Sequence, residues 1–273
     1  MRILITNDDG IHAPGLRVAE DIASALSGGD GEIWVVAPQA EQSGASRSLS
    51  LASPIRLQQT GERRFAVRGT PADCVIIAVC HLMPRMPDII ISGVNRGQNV
   101  ADDVTYSGTI AAAMEGAVLG IPSFALSQCY APHHANAIPW QVARAHGAAA
   151  IRMVLDALAA APAYGDNDHS EHRPALFNIN FPDCPPQEMK GFRLTRQGRR
   201  DVQQLRVDAR TDPRGQPYFW LSFRREVNNP PQDTDLFAIF NGYTSITPLK
   251  MNLTDEDALR HLAPLIGKAR QNA

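Results

Sequence analysis

The sequence predicts an α/β fold: a Rossmann-like, doubly wound, mainly parallel sheet with a C-terminal β-hairpin extension and a terminal helix. Three observations predict it. Strand, loop, helix, loop and strand follow one another within the first 37 residues; this is a βαβ unit, and such units build parallel sheets. The run DIIIS, 88–92, is short and apolar on both faces, as a strand sandwiched between two helix layers must be. Beyond residue 175 the texture changes to extended runs separated by polar, arginine-bearing stretches, and the chain closes on a helical pattern, 255–270.

Residues 2–6 (RILIT) form the first strand, and NDDG turns the chain. Leu16, Val18, Ala19, Ile22 and Leu26 then recur at helical spacing until Gly28-Gly29 stops the helix. Residues 32–37 (EIWVVA) are the second strand, and the extended runs 49–60 and 63–69 read as a hairpin about Gly61. Thr70-Pro71-Ala72-Asp73 opens a helix that ends near His81. Thr70 can cap its free amides, Pro71 suits the first helical position, and Asp73 complements the dipole. After DIIIS a Gly/Asn-rich loop runs on to Ser107, and the helix GTIAAAMEGAVLG, 108–120, has side chains small enough to pack close to the sheet. A strand at 122–127, a long helix at 139–161, an exposed polar loop at 164–174 and a strand at 175–181 follow. Residues 191–196 and 217–223 read as strands of a second hairpin system, and Thr254 with Asp257 can cap the last helix. One domain over 1–273 is expected, with residues 1–130 as the Rossmann-like core bearing the site and 131–273 supplying the remaining core elements, the hairpin and the C-terminal helix. A detached hairpin and helix have little core of their own, so packing against another subunit is their natural use.

Composition narrows the function. A hydrophobic share of 44% with 20% charged residues is that of a globular protein in water. A formal net charge of −2 leaves no basic footprint for a nucleic-acid polymer, and Arg193, Arg196, Arg199 and Arg200 read as a local solvated surface. Cys74, Cys80, Cys129 and Cys184 form no C-x-x-C pair; Cys74 and Cys80 read as buried small hydrophobes, a usage that suits a reducing compartment. No apolar run reaches membrane-spanning length and the N-terminal run is too short for a signal-peptide core, so a cytoplasmic protein without membrane contact is expected.

Ligands of open α/β sheets bind beyond the carboxyl ends of the strands. Asp8 and Asp9 fall there. Adjacent carboxylates repel, and a divalent cation relieves the penalty; hard oxygen ligands suit Mg²⁺ or Mn²⁺. The loops after the second and third strands should reach the same edge, bringing the Ser43 hydroxyl and the Asn95 amide oxygen to join the two carboxylates. Such a set would hold one cation and keep room for water or substrate. On its own NDDG reads first as a turn, and Ser43 and Asn95 taken singly are ordinary loop formers; their place on neighbouring strand ends is what argues for a metal. Ser107, Gly108 and Thr109 precede the small-residue helix, where free amides, the dipole and two hydroxyls make a phosphate cradle; a simple N-cap would need only one of them. In the reaction so assembled Asp8 orients or deprotonates an attacking water, or attacks directly, and Asp9 completes the anionic charge.

Two rivals share this fold class. A dinucleotide-dependent oxidoreductase would want G-x-G-x-x-G where the chain has N-D-D-G-I-H-A-P-G. A non-catalytic nucleotide sensor cannot be separated on fold alone. His133-His134, His169 and His172 fall in polar loops and do not read as a second metal site.

The segments ILITNDDGIHAPGL, VVAPQAEQSGASRSLSL, GTPADCV, DIIISGVNRGQN, YSGTIAAAMEGAVLGIPSFALS and DTDLFAIFNGYTSITPL closely resemble the SurE (survival protein E) family of nucleotidases over most of the chain. The resemblance implies a metal-dependent 5′/3′-nucleotidase that removes phosphate from nucleoside monophosphates, with short polyphosphate as a further substrate of some members. It implies metal ligands at Asp8, Asp9, Ser43 and Asn95, and a homodimer or homotetramer exchanging C-terminal elements. Ser50 stands where members often carry threonine, and the stretch 164–174 is longer than usual.

Overall fold

The computed structural model describes residues 1–134, 137–160 and 176–269; the expected loop 164–174, with His169 and His172, lies outside them. Strand β1 (Arg2–Thr6) is followed by α1 (Pro14–Ser27) and β2 (Glu32–Pro38), and β1 pairs parallel with β2. Gly28 ends α1 in the left-handed region, φ 68°, the conformation glycine adopts at no steric cost. β3 (Arg56–Gly61) and β4 (Arg64–Arg68) form the expected antiparallel hairpin, but its first arm is shorter than the run 49–60. Pro54 explains the late start, since proline cannot donate to a ladder.

Helix α2 (Pro71–Ile77) opens on the predicted capping box: Asp73 N–H donates to Thr70 Oγ1 and Thr70 N–H to Asp73 Oδ2. It runs on as a wider turn over Ala78–Leu82. Cys74 is buried as expected; Cys80 is exposed, because it sits on that outer turn. Strand β5 (Ile89–Arg96) continues four residues past DIIIS, and an irregularity between Ser92 and Asn95 carries the expected loop residues back onto the ladder with β6 (Ser123–Gln128). Between them lies α3 (Gly108–Val118); α4 (Gln141–Ala160) and β7 (Leu176–Phe181) follow.

The C-terminal third differs from the sequence reading. The short β8 (Phe192–Leu194) is not a hairpin arm. It joins the main sheet beside β11 (Thr244–Pro248), which follows the short helix α5 (Asp235–Phe240). The hairpin pairs β9 (Val202–Thr211) with β10 (Pro217–Glu226), so the polar segment expected between strands is itself a strand. Alternating polar and apolar residues suit a ribbon with both faces outside the core. The last helix, α6 (Glu256–Ala269), is capped by Asp255 Oδ1, which accepts from Ala258 N–H at 2.9 Å, rather than by Thr254.

The nine strands run in the order β3-β4-β2-β1-β5-β6-β7-β11-β8. One face, with Ile3, Ile5, Ile91, Phe124 and Ile179, packs on Leu16, Ile22 and Ile151 of α1 and α4. The other, with Leu4, Val36 and Ile90, packs on Cys74 and Val75 of α2 and Ala112 of α3. Helices on both faces make the fold doubly wound. The order reverses at β1, flanked by β2 and β5, and such a switch point opens a crevice at the strand ends. The arginine cluster is not uniformly solvated: Arg200 is buried, donating to Asp103 Oδ2 at 2.6 Å and to Val100 O at 3.2 Å. Among the described residues no helix is long and apolar enough to cross a membrane.

Candidate active site

The turn after β1 is built by its outer residues. Asn7 Nδ2 donates to Gly10 O at 2.9 Å and Gly10 N–H to Asn7 Oδ1 at 3.2 Å, with Gly10 at φ 101°. Asn7 and Gly10 thus satisfy the turn and leave both aspartates to other work.

Asp8 is 5% exposed and points at the start of α3. Thr109 Oγ1 donates to Asp8 Oδ1 at 2.6 Å, and a Cβ on Gly108 would lie 2.8 Å from Asp8 Cβ and 2.9 Å from Oδ2. Gly108 is therefore the residue that lets the carboxylate reach the helix N-terminus. Ser107 is the N-cap, its Oγ accepting from Ile110 N–H at 3.1 Å. Capping uses a lone pair and leaves the Ser107 proton to donate elsewhere. The sequence assigned all three residues to one cradle; Thr109 and Gly108 face the Asp8 carboxylate, and among the described residues the Ser107 hydroxyl has no acceptor for its proton.

Asp9 Oδ2 accepts from the Arg96 backbone N–H at 3.1 Å, tying the first turn to the end of β5 beside Asn95. Gln42 N–H donates to Asp8 O at 2.8 Å, tying the loop after β2 to the same turn. The three expected loops therefore meet. Asn95 Nδ2 donates to Gly97 O at 2.9 Å, which orients the amide and uses its nitrogen rather than its oxygen. Ser43 is exposed, and its hydroxyl donates to Glu41 Oε1 at 2.7 Å; no contact joins it to either aspartate.

Burial is the main cause that pushes the Asp8 carboxyl up to about 7, with Asp9 adding to it against the Thr109 hydrogen bond. Asp9 is also raised, first by burial and further by Glu41, against the Arg96 amide. Two crowded, desolvated carboxylates, tied through the Arg96 amide to the strand end that carries Asn95, have the all-oxygen, anionic character that a hard divalent cation fits. Among the described residues no group of three or more His, Cys, Asp or Glu gathers as a metal site, at this turn or elsewhere, so a cation here would draw on neutral oxygens beside the two aspartates. His134 is engaged with Asp183, its Nδ1 at 3.1 Å from Oδ1.

Sequence reading missed a buried amide network behind the site. Asn99 donates through Nδ2 to Ser127 Oγ at 2.9 Å, and its backbone is held by Asn178 and Asn180 of β7. One signal was present: ALFNINF puts two asparagines at strand period inside an apolar run, and buried amides require partners.

The sequence model of the family described as survival protein SurE matches residues 3–204. The chain is 51% identical over 268 residues to the protein named 5′-nucleotidase SurE of Methylobacterium sp. (strain 4-46), covering 98% of this chain and 100% of that one. It is 51% identical over 270 residues to the protein of the same name from Rhodopseudomonas palustris (strain HaA2), with the same coverage of both. Among solved structures it is similar to the SurE protein of Aquifex aeolicus, with a TM-score of 0.76 and 32% identity over 97% of this chain and 99% of that one.

Proposed function

The chain belongs to the SurE family, and on that premise we propose that it is a divalent-metal-dependent phosphomonoesterase acting on nucleoside 5′- and 3′-monophosphates. Short polyphosphate is a further candidate substrate. The observation that carries the reading is the buried Asp8 carboxylate, crowded by Asp9 and lodged against the start of α3. Asp8, Asp9, Ser43 and Asn95 would hold one Mg²⁺ or Mn²⁺ per subunit. When bound, such an ion offsets the paired negative charge and polarises a phosphoryl oxygen or a water. Ser107, Gly108 and Thr109 form the phosphate side. The Ser107 hydroxyl is a free donor, and the α3 dipole favours a phosphoryl oxygen approaching its N-terminus. Asp8, with its affinity for a proton raised, is suited to orient or deprotonate the attacking water.

The amide network and the three joined loops give this site a rigid setting, which favours catalysis over a sensor that must yield to its ligand. We read the whole chain as one functional unit whose site is carried by residues 1–130 and whose hairpin and α6 assemble a homodimer or homotetramer. Phe219, Trp220 and Leu221 on β10 and Leu262, Leu265 and Ile266 on α6 are exposed, more apolar surface than a lone ribbon and helix keep in water. The free cysteines suit a cytoplasmic setting.

The test is phosphate release from a panel of nucleoside 5′- and 3′-monophosphates with Mn²⁺ or Mg²⁺. Release abolished by a chelator and by Asp8→Asn is expected. Chelator-resistant turnover, or an active Asp8→Asn enzyme, would defeat the metal-site assignment.

A further inference from the structure

We propose that Asn178, aided by Asn180, is a positioning residue for this reaction: the two β7 amides hold Asn99, and Asn99 holds the Thr109–Asp8 pair. The inference rests on the nucleotidase reading of the site.

Asn178 and Asn180 lie two apart on β7, so their side chains leave the same face of the sheet. Both are fully buried. Asn178 Nδ2 donates to Asn99 O at 2.7 Å, and Asn180 Nδ2 donates to the same oxygen at 3.2 Å. Asn99 N–H donates to Asn180 Oδ1 at 2.8 Å. Asn99 lies between β5 and α3, where no ladder or helix supplies its backbone with partners. Side chains from a distant strand therefore fix its peptide groups. From that fixed backbone, Asn99 Nδ2 donates to Ser127 Oγ at 2.9 Å and makes a long contact of 3.5 Å to Thr109 Oγ1. Thr109 Oγ1 in turn holds Asp8 Oδ1.

Asn178 carries a mark of function over stability. Its Oδ1 is buried and has no hydrogen-bond partner among the described residues. An unpartnered buried amide oxygen is destabilising. Its cross-strand neighbours on β6 and β11 are Ala125 and Thr247, which leave it in a small-residue setting. A leucine of similar outline would remove the unpartnered oxygen, yet it could not donate to Asn99. Sites where local preference yields to a positioning demand are where stability and activity separate.

The experiment compares full-length wild type with Asn178→Leu. The expected result is an unchanged or higher Tm, with kcat on a nucleoside 5′-monophosphate at saturating Mn²⁺ falling about 10- to 100-fold and KM moving less than about threefold. Deuterium uptake of peptides covering 98–107 should rise while the β1 peptide stays protected. Asn178→Ala is the second variant, for which the same kcat loss is expected whatever happens to Tm. Wild-type kcat in either folded variant overturns the proposal. So does a lower Tm whose shortfall in folded protein accounts for the whole activity loss. If wild type itself released no phosphate from any nucleoside monophosphate, the nucleotidase reading would fall; the exchange arm would still decide the clamp, raised uptake sustaining it and wild-type uptake overturning it.

Discussion

Gly108→Ala separates the geometry of the site from the stability of the fold. Gly108 opens α3 with no positive φ, so alanine meets no backbone strain there. By propensity alone the change favours the helix, by up to about 1 kcal/mol. The obstacle is Asp8: the new methyl would stand 2.8 Å from its Cβ, 2.9 Å from Oδ2 and 3.2 Å from Cγ. Carbon atoms rest at about 3.5 Å or more, so the carboxylate must retreat by roughly 0.7 Å. Asp8 is buried and held by Thr109 at 2.6 Å, so the retreat disturbs that bond and the placement of both carboxylates. A displacement approaching 1 Å at a reacting group costs about 10²-fold in rate, or about 2.7 kcal/mol. The propensity gain and the local strain oppose each other in Tm, whereas nothing opposes the loss in kcat. The assay is kcat at saturating metal and substrate beside a thermal melt. Gly116→Ala serves as the control: its methyl would strike Ser123 and Ile90 beneath the same helix, lowering Tm while the folded fraction keeps its turnover. Wild-type kcat in Gly108→Ala would refute the reasoning, as would a crystal structure with Asp8 unmoved in an inactive variant.

Asp8 should make the metal-free protein pH-sensitive. Its carboxyl is raised to about 7 when folded, against about 3.9 in an unfolded chain. The folded form holds the proton longer, so this group's stability is fully present below about pH 4, is lost as pH rises to about 7, and amounts to something on the order of 4 kcal/mol. Melts in chelator should show Tm falling across that window and levelling off above it; a slope unchanged in Asp8→Asn would sink the assignment. Added Mn²⁺ should raise Tm of the wild type near neutral pH, by about 2.7 kcal/mol of stability at one hundred times its Kd, and should leave Asp8→Asn unmoved. Arg200→Met removes the buried Arg200–Asp103 contact at 2.6 Å and should destabilise by about 1.5–3 kcal/mol in a denaturant titration; a loss under about 0.5 kcal/mol would show that this contact does not hold the segment in place. Trp220→Glu puts a charge on the exposed apolar arm of the hairpin and should shift the sedimentation mass of the wild-type oligomer towards the monomer; an unchanged mass would place the interface elsewhere.

The sequence by itself determined the core and the two loops richest in chemistry. Strands buried on both faces must be apolar throughout, so RILIT, EIWVVA and DIIIS declare themselves without reference to their neighbours. Helix starts do the same through local hydrogen bonding, as Thr70 and Ser107 show. A paired carboxylate following the first strand is also a local fact, and the switch-point rule supplied its place. The tertiary structure decided whatever depends on a partner far along the chain. The three-residue β8 carries no periodicity, and only β11 makes it a strand. Polar β9 is a strand because β10 pairs with it along its whole length. The Asn99 clamp spans about eighty positions, and a hydrogen bond of that reach leaves no spacing to read. That Gly108 also leaves room for Asp8 is a contact only the packing shows. Local sequence fixes which groups a segment offers; only packing determines which atom arrives to meet them.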